Sequence, residues 1–246
     1  MRNSKYLILS SFYFDFNDDL TEITNVKKSF KKQTILDLYR YNDFKIIKKS
    51  VFSIDYDLNF IYLPKNIEII DNFAFYKNQI QILNLSNCIN LKIINEDVFL
   101  KNQIKHLKLP ENIEIIGYNA FSENQIKILD LSNYIKLKYI EDISFSYNQI
   151  KQLKLPQNIE IIKRYAFEKN EIKILDLSNY IKLKQIEIYA FLYNPLTEIK
   201  ILDDITIEYN NDKDDIWNTF AKYYDDNDKK SGDYKLENNE WKWYPL

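Results

Sequence analysis

The side chains that most often act in catalysis or metal binding are scarce in this sequence. His106 is the only histidine, Cys88 is the only cysteine, and the 246 residues include two glycines. A zinc site or a nucleophilic triad needs several such groups to converge, and a phosphate-binding loop needs closely spaced glycines. We therefore expect no metal, no cofactor and no disulfide within the chain, and we expect His106 to be a surface residue.

Carboxylates are abundant, but their neighbours in the repeat described below are lysines. A lysine beside a carboxylate lowers its pKa, whereas a general acid needs a raised pKa. The 34 basic and 36 acidic residues give a net charge of −2, which provides no general attraction to nucleic acid or to anionic lipid. No apolar run reaches the length of a membrane-spanning helix. These features favour a non-enzymatic protein.

A 46-residue repeat positions these side chains. The residues ILDLSNYIKLK at 128–138 recur unchanged at 174–184, and ILNLSNCINLK lies at 82–92. Aligned on their Leu-x-Leu pairs, coils begin at Ile61, Leu83, Leu107, Leu129, Leu153, Leu175 and Ile199, with spacings alternating between 22 and 24 residues. A degenerate coil begins at Leu36. Such periods are typical of leucine-rich repeats, in which each coil adds one strand to a parallel sheet.

Two further columns recur in the six coils that begin between Ile61 and Leu175. The first is phenylalanine, and the second is an asparagine three residues later: Phe75, Phe99, Phe121, Phe145, Phe167 and Phe191, with Asn78, Asn102, Asn124, Asn148, Asn170 and Asn194. We expect the rings to stack as the main source of cohesion. We expect the asparagines to adopt positive φ and to bond the turn backbone through their amides.

The segment LKLPENIEIIGYNAFSEN at 107–124 resembles the BspA-like class of leucine-rich repeats found in bacterial surface antigens. The tail WNTFAKYYDDNDKKSGDYKLENNEWKWY resembles the closing segment of related spirochaete proteins, so the resemblance covers residues 36 to 244. This chain has Asn where many members carry Cys or Gly. The resemblance implies a leucine-rich repeat solenoid, with a parallel β-sheet on one face and short extended segments and turns on the other. It also implies a binding role, commonly at the cell surface.

The candidate partner-binding residues lie in two columns that point outward from the predicted sheet. One column has three isoleucines on alternate strands and consists of Ile82, His106, Ile128, Gln152 and Ile174, followed by Glu198. The other has alternating charges and consists of Asn84, Lys108, Asp130, Lys154 and Asp176, followed by Lys200. The isoleucines form a shallow apolar stripe about 9.6 Å apart along the sheet, or else they only favour strand formation. We expect each charge to face an opposite charge on both sides, which would fix the register.

Another column follows the predicted strand and contains Cys88, Tyr134 and Tyr180. These tyrosines are either exposed aromatic rings for ligand contact or lids over the coil edge, and amphipathic rings favour such edges.

The expected organisation is an N-terminal cap at 1–35, about eight coils at 36–207 and a small α/β C-terminal cap at 208–246. In the last cap, a short helix is predicted at Asp214–Tyr224 and a hairpin around Asn238-Asn239. We expect Trp217, Trp241 and Trp243 to pack on the last coil. Residues Tyr6–Phe14 are either a signal-peptide core or a first strand. The compartment is not fixed by the sequence: the family resemblance implies a surface-exposed or secreted protein, and we expect a cytoplasmic one if this segment is not a signal.

These observations predict a non-enzymatic module that binds a protein partner on its concave sheet face. The alternatives are an intracellular structural scaffold and a surface protein that binds carbohydrate through exposed tyrosines.

Overall fold

The structure is a computed structural model that describes residues 14–17, 19, 21–27, 34–39, 41, 43–54, 56–210, 212 and 214–246. Within this part of the chain it is a parallel β-solenoid, as the repeat predicts. The prediction for Tyr6–Phe14, except Phe14 itself, falls outside the described residues.

Each coil contributes two short strands, which form two columns along the solenoid. The first strand column consists of β3 (Ile35–Asp37), β5 (Phe60–Tyr62), β7 (Ile82–Asn84), β9 (His106–Lys108), β11 (Ile128–Asp130), β13 (Gln152–Lys154), β15 (Ile174–Asp176) and β17 (Glu198–Ile201). The second strand column consists of β4 (Ile46–Ile47), β6 (Ile69–Ile70), β8 (Ile93–Ile94), β10 (Ile115–Ile116), β12 (Tyr139–Ile140), β14 (Ile161–Ile162), β16 (Gln185–Ile186) and β18 (Thr206–Ile207).

The ends of the solenoid are covered by elements outside the repeat. At the first coil, β1 (Phe14–Phe16) pairs antiparallel with β2 (Glu22–Val26), and β2 pairs parallel with β4. At the last coil, β17 pairs antiparallel with β19 (Gly232–Glu237), which forms a hairpin with β20 (Glu240–Tyr244). Helix α1 (Ile216–Asp226) lies between them in sequence.

The phenylalanine rings stack in a column inside the core, as predicted. From Phe52 to Phe191, successive rings lie 5.3–5.9 Å apart between centroids and within 15° of parallel. All seven rings are fully buried. Burial of a ring this size stabilises the fold by roughly 1.5–3 kcal/mol, so the column is a large contribution to the cohesion between coils.

The asparagine column forms a buried hydrogen-bond ladder. The Nδ2 of Asn124 donates to the carbonyls of Phe121 and Phe99, at 3.1 and 3.0 Å, and its Oδ1 accepts from the N–H of Ile104 at 2.9 Å. The predicted amide role is confirmed, but the predicted positive φ is wrong. The turn is instead made by the residues on both sides of the phenylalanine, such as Asn119 (φ 56°) and Glu123 (φ 53°).

The first strand column is not the continuous sheet that was expected. Among the described strands, β3, β5, β7 and β9 pair in that order. A second group pairs β11 with β13, and a third pairs β15, β17, β19 and β20 in that order, so the column is broken after β9 and after β13. At each break, a tyrosine hydroxyl accepts a hydrogen bond from the backbone N–H that would otherwise donate to the next strand. The N–H of Leu109 donates to Tyr134 Oη at 3.0 Å, and the N–H of Leu155 donates to Tyr180 Oη at 2.9 Å.

Both breaks fall where a 22-residue coil is followed by a 24-residue coil that contains a tyrosine, whereas the same junction between β5 and β7, with Cys88 at that position, remains paired. The 24-residue coils have two extra residues in the connection after the strand, and this connection contains Tyr134 or Tyr180. In the preceding 22-residue coil, the second leucine of the Leu-x-Leu pair is followed directly by Pro110 or Pro156. Proline has no N–H to donate to a neighbouring strand. Leu107 and Leu153, on the strands before the breaks, are only partly buried. The two tyrosines are therefore lids, as favoured, and not exposed ligand contacts.

The C-terminal elements follow the sequence closely, with one exception. Asp215 caps α1 by accepting from the N–H of Asn218 at 3.0 Å, and Asn238 and Asn239 make the hairpin turn with positive φ. Trp217 is fully buried, with its ring centroid 4.9 Å from that of Phe191, and Trp241 is buried against Phe220.

Trp243 is the exception. It is 39% exposed, so the prediction that it packs on the last coil is wrong. Its strand is the outer edge of the hairpin, and its indole N–H donates to the carbonyl of Ser231 at 3.0 Å.

Candidate functional site

The predicted partner-binding isoleucines are exposed on the face of the first strand column. Ile82, Ile128 and Ile174 are 49%, 62% and 58% exposed, which confirms their outward orientation. Their register partners are His106, Gln152 and Glu198, all at equivalent positions of the next strand. The structure therefore brings apolar and polar side chains side by side within each hydrogen-bonded strand pair.

The charge ladder on this face differs from the prediction. Lys154 Nζ lies 3.1 Å from Asp130, across the paired strands β11 and β13. Lys200 instead pairs with Glu198 on its own strand, at 3.5 Å. Because the strand column opens after β9 and β13, Lys108 and Asp130 lie on opposite sides of a break, and so do Lys154 and Asp176. The expectation that each charge meets an opposite charge on both sides is wrong.

The carboxylates of this ladder also hold the turn that follows each strand. Asp130 accepts from the hydroxyl and the N–H of Ser132, at 2.6 and 3.1 Å, and Asp176 and Asn84 make the same bonds to their serines. The hydrogen bond from the Ser132 hydroxyl, aided by Lys154, lowers the pKa of Asp130. A carboxylate of this kind stays ionised and is unsuited to general acid catalysis.

Three exposed isoleucines that the sequence analysis did not select lie beside this face. Ile89, Ile135 and Ile181 follow the lid column, and they are 58%, 61% and 81% exposed. They occupy the extra residues of the 24-residue coils. The length difference between the coils was the sequence signal that could have identified them, because an insertion into one connection must bulge outward.

Hollows open on this face, and two of them lie within residues 39–136 of the described part of the chain. One, of about 850 Å³, lies at the break between β9 and β11 and is lined by polar and apolar side chains that include Lys108, Glu111, Asp130, Ile135 and Lys136. The lid Tyr134 also borders it. The break in the strand column thus creates concave surface next to the exposed isoleucines.

The second hollow, of about 300 Å³, lies at the first coils. Its lining includes the exposed rings of Tyr39, Phe60 and Tyr62, together with Asn84 and Asn87. Cys88 stands here at the position that Tyr134 and Tyr180 occupy in later coils. The smaller side chain leaves space that a tyrosine ring fills elsewhere.

The single histidine and the single cysteine of the sequence lie in different surroundings. His106 is exposed on β9, and Cys88 is 1% exposed, with burial raising its thiol pKa to about 11. Within the described residues, no three or more His, Cys, Asp or Glu side chains converge as metal ligands. The described part of the chain also contains no helix that is both long enough and apolar enough to span a bilayer.

Comparison with known proteins identifies the repeat. The BspA type leucine-rich repeat region matches residues 21–136 and 129–211, in six copies. The chain belongs to the BspA type leucine-rich repeat family. Leucine-rich repeat solenoids of this kind are typically protein-interaction modules without enzymatic activity. No curated protein matches the chain.

Similar solved structures include other leucine-rich repeat proteins. A leucine-rich cell surface protein from Faecalibacterium prausnitzii has a TM-score of 0.56 at 16% identity, covering 94% of this chain and 59% of its own. A leucine-rich repeat protein from Bacteroides ovatus has a TM-score of 0.42 at 16% identity, covering 80% and 65%. YopM, a leucine-rich effector protein from Yersinia pestis, has a TM-score of 0.46 at 20% identity, covering 79% and 55%. The chain therefore spans less than two thirds of each.

Proposed function

We propose that this BspA type repeat protein is a non-enzymatic module that binds a protein partner on the face of the first strand column. The observation that carries the proposal is the clustering of six exposed isoleucines on and beside that face. Scattered exposed apolar residues are common on protein surfaces. These six instead repeat every 46 residues in two parallel rows, and a regular array of exposed apolar side chains on one face favours an interface.

The surroundings of the isoleucines suit a protein partner. The large hollow between β9 and β11 adds concave surface, and the charges around it are of both signs, with Lys108 and Lys136 opposite Glu111 and Asp130. Protein interfaces combine an apolar centre with a polar rim of this kind. A nucleic acid or an anionic membrane would require a surface of one sign.

The test replaces the centre of the apolar face. Ile128→Lys combined with Ile174→Lys places two charges in the proposed contact, and we expect it to abolish capture of the partner in a crosslinking pull-down from the native cell. Both side chains are more than half exposed, so the melting temperature should change little. Matched control substitutions are Tyr118→Lys and Thr206→Lys, two exposed positions elsewhere on the coil, which should capture the same partner as the unchanged protein. Equal capture by both double variants would contradict the proposal.

The small hollow at the first coils favours a second candidate function, carbohydrate binding. Exposed aromatic rings and amide groups around a space of about 300 Å³ provide stacking surfaces and hydrogen-bonding groups for one sugar ring. A glycan array should then detect binding that Tyr62→Ala removes and Tyr118→Ala leaves unchanged. Absence of any glycan signal would leave the protein partner as the proposed ligand.

A further inference from the structure

The second strand column carries an apolar row on the outside of the solenoid, although hydrogen-bonded pairing of its strands is interrupted after β6 and after β10. Ile69, Ile93, Ile115 and Tyr139 are 37–42% exposed, and the row is extended at its ends by the half-buried Ile46 and Ile161. We call these six residues the second-column stripe. They occupy equivalent positions of six successive coils, with Ile46 beside Ile69, Ile93 beside Ile115, and Tyr139 beside Ile161 in the parallel register. The stripe has no polar interruption, unlike the alternating column of Ile82, Ile128 and Ile174.

A row of charges borders the stripe. The residue before each stripe residue is charged and the sign alternates from coil to coil: Lys45, Glu68, Lys92, Glu114, Lys138 and Glu160. These charges join in pairs within the chain. Lys45 lies 2.9 Å from Glu68, Lys92 lies 3.5 Å from Glu114, and Lys138 lies 3.0 Å from Glu160, measured between nitrogen and oxygen. The hydrogen bond from Lys138 lowers the pKa of Glu160.

We propose that the second-column stripe is the contact surface of a symmetric homodimer. The two-fold axis would lie parallel to the strands and pass between β8 and β10, so that the order of coils in one copy runs opposite to that in the other. A two-fold interface must be complementary to itself. This stripe meets that condition in both its apolar residues and its charges.

The apolar residues match first. About the proposed axis, Ile93 meets Ile115 of the second copy, Ile69 meets Tyr139, and Ile46 meets Ile161. Every member of the stripe therefore faces an apolar side chain of the second copy. The apolar row ends at Ile46 and Ile161, which are also the last two residues that face each other across the axis. The next residue of the column is the polar Gln185.

The charges match as well. Lys92 faces Glu114 of the second copy, Glu68 faces Lys138, and Lys45 faces Glu160. Each ion pair within one copy thus lies against a pair of reversed polarity in the other. An alternating row with no net excess of either sign does not attract a uniformly charged partner, but it is complementary to its own reversed copy. This charge complementarity is why a second copy is the occupant proposed.

The expected dimer is weak. The six strands span about 24 Å at the spacing of parallel neighbours, and the stripe is one side chain wide. The area is smaller than the roughly 800 Å² that each partner of a stable complex buries. We therefore expect the dimer to dissociate in the micromolar range or above.

The first experiment is sedimentation velocity of the full chain up to millimolar concentration. We expect the weight-average mass to rise toward that of two chains, and Ile93→Lys with Ile115→Lys to abolish the rise. Ile128→Lys with Ile174→Lys lies on the other strand column and should dimerise as the unchanged protein does. This inference is thus independent of the proposed function, and either can fail without the other.

The second experiment uses inversion of ion pairs to test the axis itself. Lys138→Glu with Glu160→Lys keeps its internal pair but places like charge on like across the axis, so dimerisation should weaken by at least tenfold. Lys92→Glu with Glu114→Lys creates the same kind of like-charge neighbours within the chain, yet remains matched across the axis and should dimerise normally. Adding Lys45→Glu and Glu68→Lys to the first variant restores every match and should restore the dimer.

Three results would overturn the proposal. One is a chain that stays monomeric at millimolar concentration, which would assign the stripe to a different partner or to none. Another is a dimer that survives Ile93→Lys with Ile115→Lys. The third is equal weakening by the two ion-pair inversions, which would show a dimer without this axis.

Discussion

Each asparagine of the buried column joins backbone groups from two neighbouring coils. Asn148 Nδ2 donates to the carbonyl of Phe121 at 2.9 Å and to that of Phe145 at 3.2 Å, while its Oδ1 accepts from the N–H of Ile126 at 3.1 Å. A side chain that satisfies three buried backbone groups is expensive to remove, because each unpaired group keeps its full desolvation cost. The column therefore fixes the spacing of coils as the phenylalanine rings do.

Asn148→Ala tests this role at the residue scale. We expect the free energy of unfolding to fall by about 3 kcal/mol, since the substitution leaves buried donors and acceptors unpaired. The measurement is the midpoint of urea unfolding. Asn90→Ala, at an exposed asparagine of the repeat, is the matched control and should change stability by less than about 0.5 kcal/mol. Similar losses for the two variants would contradict a structural role for the column.

Cys88 provides a pH-dependent prediction. Burial raises its thiol pKa from 9.0 to about 11, so folding favours the protonated thiol. The stabilisation is fully present below pH 9 and is lost as the pH rises from 9 toward 11, to a limit of about 3 kcal/mol for two pKa units. Unfolding free energies of the natural protein and of Cys88→Ala, measured across this range, should converge as the pH rises. A constant difference would show that the thiol is not protected.

The sequence revealed much at this scale, but not the backbone conformations. The phenylalanine and asparagine columns are visible because one residue type recurs in every coil. The positive φ values fall instead at positions such as Ile143 and Tyr147, where residue types vary between coils. A position that is constrained by the stacking of coils, and not by its own side chain, leaves no such signal in a single sequence.

At the scale of the strands, the sequence predicted their positions but not their pairing. Leu-x-Leu spacing and the run of isoleucines indicated both strand columns. The breaks after β9 and β13 depend on how a two-residue longer connection folds back, and on the hydroxyl of Tyr134 reaching Leu109. That is a tertiary contact between coils. The candidate site could be predicted only in part for the same reason, since Ile135 and the large hollow are products of this break.

Tyr134→Phe tests the lid. Removing the hydroxyl leaves the N–H of Leu109 without its acceptor while the ring still fills its place, so we expect a loss of about 1–2 kcal/mol in unfolding free energy. We also expect faster amide hydrogen exchange at Leu109. The control is Tyr118→Phe, at an exposed ring. An unchanged rate of amide exchange at Leu109 would mean that the Tyr134 hydroxyl does not accept its N–H.

At the scale of the whole molecule, the unit of construction is two coils and not one. Coil length, the sign of each bordering charge and the presence of a lid all alternate with a period of 46 residues. In a stacked array, stability comes from the match between neighbouring coils. A change that preserves the alternation should therefore be tolerated better than a smaller change that breaks it.

Two deletions separate these cases. Removing residues Leu129–Ile174 takes out one 46-residue unit and joins identical sequence to identical sequence, so Asp176 takes the place of Asp130 and again lies between two lysines, Lys108 and Lys200. Removing Leu129–Gln152 takes out a single coil, which places Lys154 beside Lys108 and Glu160 beside Glu114 and leaves Leu109 without a lid. Each like-charge pair costs roughly 0.2–1 kcal/mol, and the unpaired N–H costs about 1–3 kcal/mol more.

We expect the 46-residue deletion to unfold in one cooperative transition, and the 24-residue deletion to melt at a lower temperature although it keeps one more coil. Calorimetry of the two shortened chains measures this directly. If stability depended only on the number of coils, the order would be reversed. The reversed order would show that charge alternation and lids are incidental, and that stacking of the phenylalanine rings is sufficient to hold the solenoid together.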